Sequence, residues 1–150
     1  TEMDLLDTLN LAVNKKKIKT LGICLGAQLM LKSSDEGNVN GLGYVDGKVL
    51  SFKKEFLKRK IKLPVPNMGW RFVKEKKHME SKDKKRFYFV HSYRCIPESK
   101  KVILSECDYG GKFVSSVSKN NVIGMQFHPE KSQPVGLKIL KNFSNWDGKC

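Results

Sequence analysis

Residues 18–31 read IKTLGICLGAQLML and contain the clearest structural signal in the chain. The first half of this stretch, Ile18–Cys24, is a short apolar segment typical of a buried β-strand, and Ala27–Leu31 has the composition of a helix. Gly22 and Gly26 lie two residues to either side of the cysteine. A strand that turns at once into a helix needs small residues at both positions. We therefore predict a sharp strand–turn–helix unit with the cysteine at its apex.

Cys24 occupies the nucleophile position of such a turn. We expect the backbone amide of Leu25 to face the oxyanion that develops when sulfur attacks a carbonyl, and the start of the helix to favour the thiolate over the thiol. Gln28 follows one helical turn later, where its amide can face the same pocket and recognise another polar group. The alternatives are a buried structural cysteine and a solvated helix glutamine.

A second motif, QFHPE at residues 126–130, ends the predicted strand Val122–Phe127. The proline biases His128 towards an extended backbone, and residues i and i+2 of an extended segment project to the same side. Glu130 can therefore hold the imidazole ring, and His128 can accept a thiol proton and deliver it to a leaving amine. The alternative for this motif is the start of a capped helix.

The rest of the pattern predicts one α/β domain, residues 1–150, with a largely mixed sheet. Apolar residues at helical spacing predict a helix over residues 3–16 and a last helix around Val135–Phe143. Asp108–Gly111 is typical of a hairpin turn. The other predicted strands are Tyr44–Phe52, Trp70–Lys74, Arg86–Tyr93, Val102–Cys107, Phe113–Val117 and Val122–Phe127.

The charge pattern narrows the function classes. The chain has 29 Lys and Arg against 15 Asp and Glu, a formal net charge of +14. The lysines are dispersed, and segments 53–62 and 74–86 are interpreted as surface connections, so we favour a solvated basic surface over a nucleic-acid site or an acidic partner.

No apolar run is long enough for a transmembrane helix. The four cysteines lack metal-ligand spacing, and their low density disfavours a disulfide framework, which indicates a reducing cytoplasm and no metal. His78 is interpreted as surface, and His91 as a second candidate base.

These motifs resemble a known family. GICLGAQ at 22–28 and QFHPEKSQPVG at 126–136 are similar to class I (triad) glutamine amidotransferases. PNMGW at 66–70 and FVHSYR at 89–94 resemble the subfamily whose glutaminase subunits supply ammonia to a (β/α)8-barrel cyclase in histidine biosynthesis. The resemblance implies a flavodoxin-like α/β domain that hydrolyses glutamine to glutamate and ammonia without a cofactor.

The resemblance also implies roles for individual residues. Cys24 would form a glutamyl thioester, His128 would be the general base and acid, and Glu130 would orient it. Leu25 would supply an oxyanion amide. The residues implied to hold the glutamine head group are Gln28, His91, Ser92 and Tyr93.

Four residues match positions that face the cyclase partner in the family: Met68, Trp70, Tyr88 and Lys131. Simpler alternatives exist for three of them. Met68 and Trp70 could belong to the core, and Lys131 could be one more surface cation.

Two departures from the family pattern leave alternatives open. No Gly-rich turn of the type that supplies the second oxyanion donor precedes Cys24, so we expect the domain to lack an N-terminal portion with strands of its sheet. Asn67 stands where the histidine-pathway subunit usually has His. Asn67 and the strong basic charge leave open a paralogue that supplies ammonia for the amidation of surface sugars. A non-catalytic basic binding module also stays open.

Overall fold

The computed structural model describes residues 2–75 and 85–150, so that His78 and most of the lysine-rich segment 74–86 lie outside the described residues. The helices are α1 (Glu2–Asn10), α2 (Leu25–Leu29), α3 (Phe52–Arg59) and α4 (Gln133–Asn145). A π-helical turn, Leu11–Lys15, follows α1, and short 3-10 turns span Lys100–Val102 and Pro129–Lys131. The strands are β1 (Thr20–Ile23), β2 (Ser33–Ser34), β3 (Val39–Asn40), β4 (Gly47–Ser51), β5 (Asn67–Glu75), β6 (Lys85–His91), β7 (Tyr93–Pro97), β8 (Ile103–Asp108), β9 (Lys112–Lys119) and β10 (Val122–Met125).

The strands form two sheets, and the prediction of a mixed α/β fold is confirmed. The larger sheet has the order β1-β10-β9-β8-β5-β6, and the smaller has the order β3-β2-β4-β7. In the larger sheet β1 and β10 are parallel, whereas every other neighbouring pair is antiparallel. β8 and β9 form the hairpin predicted at Asp108–Gly111.

A single residue, Ser92, joins the two sheets, because β6 of the larger sheet ends at His91 and β7 of the smaller sheet begins at Tyr93. The Ser92 carbonyl accepts a hydrogen bond from the Phe52 amide at 3.0 Å. The start of α3 is therefore fixed to the joint between the sheets.

The core consists of two clusters, of which the first joins residues of both sheets. One cluster lies around β4 and α2 and consists of Val13, Met30, Leu31, Tyr44, Val45, Val49, Cys95, Val117 and Val122. The other is largely aromatic and consists of Phe52, Phe56, Phe87, Phe89, Cys107, Tyr109, Phe113, Met125 and Phe127. The buried Phe127 stacks on Phe87, with ring centroids 4.3 Å apart. The second motif, which directly follows β10, is thereby anchored in the aromatic cluster, because burial of large rings is the main favourable term at such positions.

The interpretation of segment 53–62 as a surface connection is wrong, because most of it forms α3. The helix buries Phe52 and Phe56, which are one turn apart, and exposes its lysines. The Ser51 hydroxyl accepts the Lys54 amide at 3.4 Å and caps the helix. The lysine content concealed a short amphipathic helix that is held by two aromatic side chains.

The two glycines around Cys24 have different surroundings. A Cβ built on Gly22 would lie 2.6 Å from the backbone of Gly26, so β1 and α2 meet at a distance that only glycine permits. A Cβ built on Gly26 has nothing within 4 Å among the described residues. The expectation that both positions need a small residue therefore holds for Gly22 and is wrong for Gly26.

We predict that Gly22→Ala destabilises the protein by about 1–3 kcal/mol or more, because the new methyl group meets backbone that has no room to move. Gly26→Ala is the matched control and should be neutral or slightly stabilising, since alanine is the better helix former. Denaturant unfolding of the two variants checks this. Equal losses would contradict the contact at Gly22.

Candidate active site

Cys24 lies between β1 and α2 in a conformation that few residues adopt. Its backbone has φ 51° and ψ −104°, and its amide donates a hydrogen bond to the Met125 carbonyl at 2.7 Å. A non-glycine residue in such a region costs on the order of 1–3 kcal/mol and persists only where its surroundings hold it. Here β10 and the first turn of α2 hold it, which makes the sharp turn that the sequence predicts.

The Cys24 sulfur has partners on two sides. As a donor, the thiol points at the Val90 carbonyl, with Sγ 3.7 Å from the oxygen. As an acceptor, Sγ lies 3.8 Å from the Nε2 amide nitrogen of Gln126. The Leu25 amide also faces the sulfur and favours its negative charge. The amide expected to face an oxyanion thus lies beside the sulfur in the resting protein.

Burial raises the pKa of the Cys24 thiol and outweighs the hydrogen bonds from Leu25 and Gln126, which lower it. The nearby carboxylates of Glu130 and Glu36 raise it further. The start of α2 does favour the thiolate through the Leu25 amide, as expected, but burial outweighs this effect and the resting protein favours the thiol. Desolvation dominates because α2 has only five residues and the sulfur is half-buried.

His128 and Glu130 form a close pair. His128 Nδ1 lies 2.6 Å from Glu130 Oε1, with the glutamate exposed and the histidine largely buried. The other ring nitrogen, Nε2, is buried without a hydrogen-bond partner among the described residues. A short 3-10 turn does begin at Pro129, as the helix-start alternative holds, but the His128 side chain does not cap it. The ring is therefore held at one nitrogen and has a free position at the other.

Backbone contacts place the His128 loop against β6. The His128 amide donates to the Tyr88 carbonyl at 2.9 Å, and the Tyr88 amide donates to the Ser132 hydroxyl at 3.0 Å. The same hydroxyl donates to the His128 carbonyl at 2.6 Å. Since Ser132 is fully buried, the loop that carries the pair is fixed at both ends.

Gln28 is buried, so the solvated alternative is wrong for it. Its Nε2 donates to the Tyr93 carbonyl and to Gln126 Oε1, both at 3.2 Å. The side chain does lie near Cys24, to which Gln126 connects it. That Gln28 also holds the head group of glutamine stays a prediction.

His91 is buried in a hydrogen-bonded chain. Its Nδ1 lies 2.7 Å from the Tyr93 carbonyl, and its Nε2 lies 3.0 Å from Asn67 Nδ2. Asn67 Oδ1 accepts from Arg71 Nε at 3.1 Å. Because arginine can only donate, Asn67 must turn its NH2 group to His91, so Nε2 accepts and Nδ1 carries the proton.

The pKa of His91 is lowered to about 4. Burial is the largest cause and the charge of His128 acts in the same direction, whereas the hydrogen bond to the Tyr93 carbonyl opposes them. His91 is therefore a neutral imidazole with both nitrogens occupied by the protein. The interpretation of His91 as a second base is not supported by this arrangement.

Three of the four residues expected to face a partner lie on one side of the larger sheet. Met68 and Trp70 are 56% and 37% exposed, so the core alternative is wrong for both. Trp70 pairs with Tyr88 across β5 and β6, with ring centroids 6.0 Å apart. Lys131 is exposed in the loop that Ser132 fixes to Tyr88. Phe72 continues the stripe and is 54% exposed.

Residues 2–75 and 85–150 contain no group of three or more His, Cys, Asp or Glu side chains that could hold a metal ion. In the same part of the chain, no helix is long and apolar enough to cross a membrane.

The family profile described as "Glutamine amidotransferase class-I" matches residues 5–145. The chain belongs to this family. A subunit named imidazole glycerol phosphate synthase subunit HisH 2, from Methanococcus maripaludis, is 46% identical over 95% of this chain and 70% of its own length. HisH of Neisseria meningitidis serogroup A is 46% identical over 83% of this chain and 61% of its own length. HisH of Leptospira interrogans is 40% identical over 97% of this chain and 72% of its own length. The resemblance predicted from the motifs is thus confirmed.

Solved structures of the family share the fold. A crystal structure of a glutamine amidotransferase aligns with a TM-score of 0.67 at 16% identity, covering 97% of this chain and 70% of that one. A glutamine amidotransferase from Thermotoga maritima aligns with a TM-score of 0.54 at 18% identity, covering 96% of this chain and 53% of that one. The chain thus spans between about half and three quarters of the length of the proteins it matches.

Sequence reasoning missed three residues of the site. Gln126 belongs to the second motif, and its position two residues before His128 is a usable signal for a place near the cysteine. Asn67 was noted only as a departure, and its contact with His91 depends on strand pairing. Glu36, whose charge acts on the thiol, lies in a turn without any motif.

The buried His91 should make stability depend on pH. The unfolded chain binds a proton near pH 6.5, whereas the folded chain binds it only near pH 4. Stability contributed by the neutral ring is therefore complete above pH 6.5 and is lost as the pH falls from 6.5 to 4, by roughly 3 kcal/mol.

Denaturant unfolding of the wild type and His91→Gln between pH 7.5 and 4 measures this. The stability difference between the two proteins should shrink as the pH falls, because the variant lacks the titrating ring. Parallel curves over this window would contradict the assignment of a buried neutral imidazole.

Proposed function

We propose that the protein is a glutaminase that hydrolyses glutamine to glutamate and ammonia with Cys24, His128 and Glu130. One observation carries the proposal: β1 and β10 are parallel and in register, with Ile23 opposite Met125. Parallel strands end at the same edge of a sheet, so the Cys24 turn and the loop of His128 and Glu130 leave the sheet side by side.

The reaction follows from the groups at this edge. His128 Nε2, which is unpartnered among the described residues, takes the proton of the Cys24 thiol as sulfur attacks the carboxamide carbon. The C–S bond forms, the Leu25 amide donates to the oxyanion, and the C–N bond breaks as the imidazolium protonates the leaving ammonia. Water then hydrolyses the thioester with His128 as the base, which yields glutamate and restores the thiol. Glu130 holds the ring and stabilises its cation.

Substrate recognition is proposed for Gln28 and for the segment His91, Ser92 and Tyr93. The segment is the joint between the two sheets. Its Tyr93 carbonyl accepts hydrogen bonds from Gln28 and His91, and Asn67 in turn contacts His91. Glu36 adds a carboxylate whose charge reaches the thiol. A cationic ammonium group, such as that of glutamine, complements this charge.

We further propose that the ammonia passes to a (β/α)8-barrel cyclase of histidine biosynthesis, with which the chain forms a heterodimer in the cytoplasm. The relatives at 40–46% identity that carry the name HisH support the pathway. The exposed stripe of Met68, Trp70 and Phe72 supports a docking surface, because a contiguous row of large apolar side chains exposed on a sheet is typical of a protein–protein contact. The four cysteines, all unpaired, support a reducing compartment.

The sugar-pathway alternative depended on Asn67 together with the strong basic charge. Asn67 is fully buried and contacts His91 and Arg71, whereas its neighbour Met68 faces outward on β5. The Asn67 side chain therefore forms its hydrogen bonds within this chain and does not face a partner. It therefore does not distinguish one ammonia acceptor from another.

The glutaminase proposal is tested by glutamate release from glutamine in the presence of a barrel cyclase. Cys24→Ser should abolish turnover, because a hydroxyl is a far weaker nucleophile. His128→Asn should lower kcat by about 10²–10⁴-fold, and Glu130→Gln by less, since the ring remains. The control Cys150→Ser removes an exposed thiol and should leave activity unchanged. Turnover by Cys24→Ser at the wild-type rate would overturn the proposal.

The docking surface is tested with Trp70→Ala. The loss of a large exposed ring from an interface should weaken binding of the cyclase at least ~30-fold, as interface tryptophans commonly do. Leu57→Ala is the control, because Leu57 is 72% exposed on α3. Titration calorimetry with the barrel protein measures both. Equal affinities for the two variants would place the interface elsewhere.

A further inference from the structure

The Gln126 side chain is a buried amide that the mechanism above does not use. It is 2% exposed and follows β10 directly, between two buried apolar residues, Met125 and Phe127. Both ends of the amide are occupied: Oε1 accepts from Gln28 Nε2 at 3.2 Å, and Nε2 lies 3.8 Å from Cys24 Sγ. A buried polar group that is matched so completely has a defined orientation.

The orientation of this amide is fixed from its far end. The Tyr93 carbonyl can only accept hydrogen bonds, so Gln28 must turn its NH2 group towards it. The same NH2 group also faces Gln126, which must therefore present its oxygen to Gln28. Its own NH2 group is then left for the Cys24 sulfur. A flipped Gln126 would set two NH2 groups against each other and an oxygen against sulfur.

His91 holds the Tyr93 carbonyl, the group to which this row of hydrogen-bonded amides is attached. Its Nδ1–H donates to the same Tyr93 carbonyl at 2.7 Å, and Asn67 fixes that tautomer. The carbonyl thus receives two donors from two buried side chains, so neither it nor Gln28 is free to turn. The donor that reaches the sulfur is oriented by residues from three separate parts of the chain: Gln28, the pair His91 and Tyr93, and Asn67.

We propose that Gln126 is a catalytic residue that stabilises the Cys24 thiolate by donating a hydrogen bond to sulfur, with Gln28 as the positioning residue that orients it. The identity of the reaction rests on the proposed glutaminase function, whereas the effect on sulfur does not. The bond strengthens as His128 removes the proton, because a donor binds a thiolate more strongly than a thiol. Val90 acts in the opposite sense, since its carbonyl accepts from the thiol alone.

The test is the pH dependence of alkylation of Cys24 by iodoacetamide. The background is Cys150→Ser, because Cys95 and Cys107 are buried and Cys150 is exposed. Gln126→Met keeps much of the volume but removes the donor, and Gln126→Glu keeps the shape but presents an acceptor. Both variants should alkylate about 10–100-fold more slowly below the midpoint, with the midpoint moved to higher pH.

Gln133→Glu is the matched control, since it makes the same charge change on an exposed residue at the start of α4. Its midpoint should equal that of the background protein. An unchanged midpoint in folded Gln126→Met, or an equal shift in Gln133→Glu, would overturn the proposal.

A measurement on the unsubstituted side chain covers the case in which the variants fail to fold. The NMR resonances of the Gln126 side-chain amide should titrate with the same midpoint as Cys24 alkylation, because the amide proton senses the charge on sulfur. Amide resonances that do not change through that midpoint would overturn the proposal. Neither measurement requires glutamine, so a protein without glutaminase activity could still show both effects. That result would reject the proposed function and retain the role of Gln126 at sulfur.

Discussion

The arrangement of the site depends on one piece of strand pairing, the parallel ladder between β1 and β10. It ends with the hydrogen bond from the Cys24 amide to the Met125 carbonyl. The cysteine turn and the histidine loop are far apart in sequence, and this ladder sets their distance and relative direction. Gly22 allows α2 to follow at once, and the aromatic cluster holds the end of β10 through Met125 and, just after the strand, Phe127.

Much of the site could be predicted from the sequence because its two motifs are local. The turn at Cys24 follows from the glycine at residue 22 and from the change of periodicity after it. The pairing of His128 with Glu130 follows from an extended backbone beside a proline, and the structure places the two side chains 2.6 Å apart. In both cases, the local geometry depends on residues that lie within about five positions of one another.

What the sequence did not reveal depends on contacts between distant segments. Asn67 meets His91 only because β5 and β6 pair in one register, and a shift by one residue would turn either side chain to the other face. The state of the Cys24 thiol depends on burial, which no local pattern specifies. The α3 helix was missed for a related reason, since two phenylalanines buried by tertiary packing outweigh the lysines around them.

The carbonyl of Val90 has a consequence for the lifetime of the proposed nucleophile. Oxidants attack a thiolate far faster than a thiol, and the products beyond the sulfenic acid are not readily reversed. By accepting the proton of the half-buried Cys24 thiol, Val90 helps to keep sulfur in its unreactive form between turnovers. The same contact that the reaction must break therefore protects the residue from chemical damage while the site is empty of substrate.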